Sequence, residues 1–150
     1  MLEERIEQDI KAALLGGDAA RVSTLRGVKS VLLNEKVAKG KRESGLSDDE
    51  VLALLGKEAK KRQESADLYV QGGSQERADK ELAEKAIIEE YLPAQLSEAE
   101  IGELVDAAIA ETGASGPQAM GQVIGKVKQQ AGAAADGAVI AKIAKERLAV

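Results

Sequence analysis

A chain of 150 residues with no Phe, no Trp and only Tyr69 and Tyr91 as aromatics must close its core with Leu, Ile, Val and Ala. Such an interior suits closely packed helices, because Ala and Leu favour the helix and let backbones approach. A sandwich or barrel would want aromatic and β-branched strands. No strand-period run survives inspection. Apolar residues recur instead at helical spacing, as at Leu2, Ile6, Ile10 and Leu14. The fold class that follows is all-α.

The punctuation of the chain sets the helices. Leu2 to Leu15 reads as one helix, ended by Gly16-Gly17. Asp18 can cap the next, which runs to about Ala38 with Val22, Leu25, Val28, Leu32 and Val37 inward, widened by Val31 and Leu33; Gly40 stops it. Lys39 to Gly45 is a basic loop. Ser47-Asp48-Asp49-Glu50 forms a capping box with acids at the positive end of the dipole. It opens a long helix bearing Val51, Leu55, Ala59, Arg62, Ala66 and Tyr69, closed by Gly72-Gly73. Ser74 starts a helix with Ala78, Leu82, Ala86, Ile88 and Leu92 inward; so short a link makes these two antiparallel neighbours.

Pro93 then biases Leu92 away from helical dihedrals and removes a donor. Four residues later Ser97 and Glu100 offer a second capping box. The stretch Glu90–Glu100 is therefore a joint, with Leu92 and Leu96 expected to pin its two sides. Before it lies an N-terminal bundle of about four helices over residues 1–93. After it lies a three-helix tail over residues 97–150. Tail helix one, Glu98–Thr112, turns Ile101, Leu104, Val105, Ala108 and Ile109 inward. Gly116-Pro117 opens the second, with Met120, Val123, Ile124 and Val127 inward. Asp136 caps the third, with Val139, Ile140, Ile143 and Leu148 inward, and Ala133–Ala135 reads as a linker.

Composition narrows the chemistry. The chain is 44% apolar and 31% charged, which is globular and too hydrophobic for a disordered segment. Without Cys there are no disulfides or thiolate metal ligands; without His the commonest general base and metal ligand are gone. No metal site and no cofactor are expected. Met1–Arg5 does not read as a signal peptide, and no apolar run approaches the ~18 residues of a membrane span. The expected location is the cytoplasm, with no membrane partner. No phosphate loop or dinucleotide fingerprint is present. Ser23 and Ser30 lie near Arg26 and Lys29, but nothing marks a nucleophile–base dyad, so an independent enzyme is not expected.

A formal net charge of -5 argues against non-specific nucleic-acid binding, and no DNA partner is expected. The charge is uneven, however. From Arg21 to Arg42 seven bases face one acid, and from Gly113 to Val150 five bases face two acids. The cluster Lys57, Lys60, Lys61 and Arg62 reads as a solvated face, paired in part with Glu58 and Glu64. Arg26, beside Leu25, could form a partly buried ion pair between helices. Arg21, Arg26 and Lys29 make up a secondary basic patch.

Within the second tail helix sit Gly121 and Gly125, each costing about 1 kcal/mol against Ala. They flank the core stripe beside Lys128. Two readings stand: close helix packing, and close approach of a partner such as a nucleic-acid backbone, which wants bare amides and a nearby cation.

Several stretches together resemble the GatB/YqeY domain family over essentially the whole chain. Tyr91-Leu92-Pro93-Ala94-Gln95-Leu96-Ser97-Glu98 is similar to its YLPxQLSE signature. Met120–Gly125 resembles its MGKVMG motif and Ala135-Asp136-Gly137 its ADG motif. Thr24–Ser30 and Glu58–Ala66 resemble its LR-containing helix and its E-x-K-x-R-x-x-S segment. The resemblance implies a freestanding YqeY-like protein whose tail is related to that of the B subunit of tRNA-dependent amidotransferases. In that enzyme the tail helps hold tRNA and does not carry the glutaminase or the transfer. Members are often labelled carbon–nitrogen ligases with glutamine as amido donor, a label the residues here do not support as an independent activity. The implied partner is a tRNA, glutamine tRNA being the natural case, contacted through Gly121, Gly125, Lys126, Lys128, Lys142 and Lys145. The alternative is a module docking on an aminoacyl-tRNA synthetase or amidotransferase without touching RNA. The sequence departs from the family where Gln122 replaces Lys, and where a basic approach to ADG becomes Gln130-Ala131-Gly132-Ala133-Ala134.

Overall fold

A computed structural model describes residues 1–148. All regular structure among them is helical. Seven α-helices run in order: α1 (Leu2–Leu15), α2 (Ala19–Ala38), α3 (Asp48–Gln71), α4 (Gln75–Glu89), α5 (Glu98–Thr112), α6 (Met120–Ala131) and α7 (Gly137–Arg147). Short 3-10 turns at Pro117–Ala119 and Gly132–Ala134 precede and follow α6. The chain divides into two compact units, Met1–Leu92 and a second beginning at Pro93. The last two positions of the expected tail, Ala149 and Val150, lie outside the described residues.

In the first unit the α3–α4 hairpin carries the longest interface, with α2 packed on both its helices and α1 on α2 and α3. The core is aliphatic apart from Tyr91. It joins Ile6 and Ile10 of α1, Leu25, Val28 and Leu32 of α2, Leu46, Val51, Leu55 and Ala59 around α3, and Ile88 after them. Asp18 caps α2 by accepting from the Arg21 amide at 3.0 Å. Ser47 and Glu50 complete their capping box on α3. Ser74 sits at the N-cap of α4 without a side-chain capping bond.

Five expected apolar positions point outward, the first being Leu14 of α1 at 52% exposed. Leu33 and Val37 on α2 are 43% and 58% exposed, Leu82 on α4 is 38% exposed, and Ala86 is exposed as well. On α4 the cause is visible. Its inward side carries Glu84 and Lys85, which reach Arg62 and Gln63 of α3. An inward stripe made partly of ion pairs cannot be found by tracking apolar residues. The same network shows the expected pairing with Glu58 and corrects only the solvated placing of Arg62. Arg62 is held by Glu58 at 2.7 Å, and the Glu58 side chain is only 7% exposed. Lys61 joins Glu58 from the open side at 3.2 Å. Gly27 of α2 faces this guanidinium, with Arg62 Nη2 3.9 Å from where a Cβ would stand. Tyr69 is half-buried, with Arg77 5.9 Å over its ring.

The tail unit is three helices in mutual contact around Ile101, Val105, Ala108, Val123, Val127, Ile140, Ile143 and Ala144. Ser97 and Glu100 form the second capping box, and Gly113 ends α5 in the left-handed conformation with φ 63°. Asp136 caps α7 through the Ala138 amide at 2.8 Å. Ala133–Ala135 is more than a linker. The Leu96 amide donates to the Ala134 carbonyl at 2.8 Å, and the Gln95 side-chain amide donates to the Ala133 carbonyl at 3.0 Å. The joint is thereby fastened at both sides in separate cores: Leu92 packs on the first and Leu96 on the second.

Candidate nucleic-acid interface

Helix α6 buries Val123 and Val127 and half-buries Met120 and Ile124, which fixes where its other residues face. Gly121 and Gly125 are exposed, one turn apart, and a Cβ on either would meet nothing within 4 Å. The close-packing reading of Gly-x-x-x-Gly is therefore overturned: no neighbouring helix fills the strip. Neither glycine has a positive φ, so no backbone strain demands it. The strip is a length of bare helical backbone open to solvent.

Lys128 follows Gly125 by three residues and lies about 20° around the helix from Gly121. Its side chain runs toward the start of α7. A Cβ on Gly137 would stand 3.1 Å from Lys128 Cε and 3.3 Å from Nζ. The glycine of the Ala135-Asp136-Gly137 motif thus gives this lysine its path. No ion pair to Lys128 or Lys145 occurs among the described residues.

The remaining expected contacts do not join the strip. Lys126 lies about 140° around α6 from Gly121. It is half-buried and paired with Glu111 at the end of α5, 2.5 Å away. Lys142 of α7 reaches Glu98 at 3.8 Å, and Arg147 reaches Asp106 at 3.0 Å. Helix α5 carries five acids and no base, so three of the tail's five cations are met by carboxylates of one helix. Gly102 opens a place for Arg147, whose Nη2 stands 2.9 Å from the position of an added Cβ.

Five of the seven bases in the run Arg21–Arg42 are likewise paired with carboxylates. Arg21 forms a two-pronged contact with Glu90 and also meets Asp18. Lys29 meets Glu7 at 2.6 Å, Lys36 meets Glu3 at 2.7 Å, Lys39 meets Glu35 and Glu50, and Lys41 meets Glu50. Hydrogen bonding to Glu90 raises the Arg21 pKa further, and the same bond holds Glu90 below the usual carboxylate range. Lys41, the Ser47 amide and Lys39 together pull Glu50 down to about 2. Arg26 does not form the interhelical pair expected of it. It is exposed and makes no ion pair among the described residues; Arg21 takes that role. Of Arg21, Arg26 and Lys29, only Arg26 is left without an ion pair among the described residues. The seven bases were legible in sequence, but the acids on α1, the α3 cap and the joint that meet five of them become neighbours only through the fold.

The joint's aromatic is also committed to architecture. The buried Tyr91 hydroxyl donates to Asp9, and Arg5 sits 4.7 Å over the ring. Burial, then the Asp9 carboxylate, raises the Tyr91 pKa. Ser30, half of the weighed serine–cation arrangement, donates its hydroxyl to the Arg26 carbonyl at 3.2 Å. No helix among the described residues is long and apolar enough to cross a membrane.

No curated protein matches the chain in sequence. A family model does, over residues 3–148, and its description is Yqey-like protein. That span takes in the joint, the glycine strip, the Lys128–Gly137 crossing and the Glu58–Arg62 network, and the chain belongs to the YqeY-like family.

Proposed function

We propose that this protein is a non-catalytic accessory of tRNA-linked amide chemistry, and that its tail contacts a tRNA backbone at Gly121, Gly125 and Lys128. The observation that carries the reading is the exposed glycine pair. Each glycine lowers helix stability by about 1 kcal/mol relative to Ala, and no neighbour, turn or strain requires either. A bare backbone beside an unpaired ammonium suits a phosphate or sugar edge that must come close. Lys145 adds a second unpaired cation in the same unit. Lys126 and Lys142 would have to leave carboxylates before serving RNA.

The test is a pair of measurements with opposite expected signs. Gly121→Ala combined with Gly125→Ala should raise the thermal midpoint, by helix propensity, and weaken tRNA binding in a mobility shift at low salt. A more stable protein with unchanged affinity removes the strip from the site. Glutamine tRNA binding no better than an unrelated RNA of equal length removes the tRNA reading itself.

The second reading is a module that docks on an aminoacyl-tRNA synthetase or amidotransferase. The pairing of most cations with acids, on a chain of net charge -5, favours it. A partner retained after ribonuclease treatment distinguishes it from RNA bridging. Independent glutamine-dependent amidation is no part of either reading, and ammonia release from glutamine by the purified protein with charged tRNA would overturn both. Both readings place the protein in the cytoplasm.

A further inference from the structure

Of the exposed side chains in Thr24–Ser30, all but one are engaged by the fold; the buried Thr24 hydroxyl has no hydrogen-bond partner among the described residues. Thr24, Leu25 and Val28 are buried, Gly27 faces Arg62, Lys29 pairs with Glu7, and Ser30 bonds the backbone. Arg26 is the exception: exposed and unpaired among the described residues. It does not stand alone on its side of α2. With a period of 3.6, Ser23, Arg26, Ser30, Leu33, Asn34 and Val37 fall on the face opposite the core. All six are exposed, and Leu33 and Val37 are two of the few large exposed hydrophobics. In a chain that is 31% charged, this face of about 21 Å carries a single charge. The cations on the flank beside it, Lys29 and Lys36, are already matched by Glu7 and Glu3 of α1.

We propose that the outer face of α2 docks an amphipathic helix of a partner protein. That helix would present two aliphatic residues one turn apart to Leu33 and Val37, and a carboxylate about two turns away to Arg26. The charge on the face selects the occupant. A lone Arg with no local acid asks for a carboxylate, and the uncharged remainder favours a neutral polar and apolar surface over a phosphate backbone. The shape agrees, because the rows Arg26–Ser30–Asn34 and Leu33–Val37 form i, i+4 ridges of the kind that pack into the grooves of another helix. A face this small fits a transient contact. The proposal stands apart from the tail and its reading, since it uses no residue of the second unit.

The experiment titrates the isotopically labelled full chain with a synthetic 20-residue helical peptide bearing Leu at i and i+4 and Glu seven residues from the first Leu. Amide shifts confined to residues 23–37 are expected. Arg26→Glu, an exposed change that leaves circular dichroism unaltered, should weaken binding about tenfold. A peptide with Lys in place of Glu should restore it. Leu33→Asp should abolish the shifts with either peptide. Equal binding of the Glu and Lys peptides to the unaltered protein overturns the proposal, as do shifts elsewhere. Concentration-dependent shifts of residues 23–37 without peptide would make a second copy the occupant and overturn it. So would tRNA moving the same amides with the effect lost in Arg26→Glu.

Discussion

Among the described residues, the first unit encloses some of its charge and the tail does not. In the first unit, carboxylates enter the packing. Glu58 is almost fully enclosed between Arg62 and Lys61, and Glu84 closes the other side of Arg62 with its own side chain 23% exposed. Glu3 is 23% exposed and accepts from both the Leu46 amide and Lys36. Burial opposes the ionised form of Glu3, but the Lys36 and Leu46 bonds outweigh it and its pKa falls. In the tail, every ion pair among the described residues has at least one partner more than half exposed. The physical consequence differs several-fold. Breaking an enclosed pair strands a charge, whereas a solvated pair contributes about 0–1 kcal/mol. The enclosed charges around Glu58 and Glu3 are therefore part of the first unit's architecture, whereas its solvated pairs, such as Lys29–Glu7, resemble those of the tail, where charge can be exchanged for another ligand at little cost.

The sharpest way to break this contrast is to remove one arginine from each unit. Arg62→Ala leaves Glu58 buried without its main partner and should cost about 3 kcal/mol in urea unfolding. Arg147→Ala frees Asp106 to water and should cost less than about 1 kcal/mol. Equal costs would dissolve the distinction. A smaller effect is expected at the joint. Tyr91→Phe keeps the ring beneath Arg5 and removes only the hydroxyl donated to Asp9, which is partly exposed and can recruit water. The expected loss is about 1 kcal/mol in the first unit's transition, and a loss of about 3 would mean that Tyr91 holds more than a hydrogen bond.

Acid titration probes the same contrast. Glu50 has a folded pKa of about 2 against a usual value of 4.5, owing first to Lys41, then to the Ser47 amide and Lys39. Because the folded value is the lower one, the unfolded chain takes up the proton first as pH falls. The stabilisation is thus complete above about 4.5 and is lost progressively down to about 2. Glu3 and Glu90 are shifted in the same direction and belong to the same unit. Stability of the first unit should fall over this window, and Glu50→Gln should flatten the slope measured by chemical denaturation at a series of pH values. An unchanged slope would show that the cap and its lysines do not set the titration.

The sequence made helix boundaries legible because they are written in local chemistry. Ser47 with Glu50, Ser97 with Glu100, Asp18, Asp136 and Gly113 each act within a few residues of themselves, and each does so in the structure. What local pattern could not carry was partnership across the chain. The inward side of α4 is partly Glu84 and Lys85, invisible to a search for apolar spacing. The basic run of α2 looked like a patch because Glu3, Glu7, Glu50 and Glu90 lie far away in sequence. Ala133–Ala134 looked idle because its use is as backbone acceptors for Gln95 and Leu96. Around the candidate site, the place of Gly121 and Gly125 beside the core stripe was legible from the helical period, but whether another helix covered them was not. The diversion of Lys126 to Glu111 was not, since it depends on the end of α5 reaching the far flank of α6.

The smallest structural change gives the most specific test of what tail charge is for. Replacing Glu98, Asp106 and Glu111 by Gln, Asn and Gln removes three solvated carboxylates, each contributing about 0–1 kcal/mol, so the tail should unfold at nearly the same denaturant concentration. The same changes release Lys142, Arg147 and Lys126 and lower the negative charge that a polyanion must approach. If the tail contacts tRNA, affinity should rise and its salt dependence should steepen, because each additional cation on a phosphate displaces further counterions. If the tail serves protein docking alone, tRNA binding should remain weak even with its cations freed. A stable triple variant that gains no RNA affinity would then place the tail's function in its apolar and glycine surfaces and leave α5 as a neutralising rim.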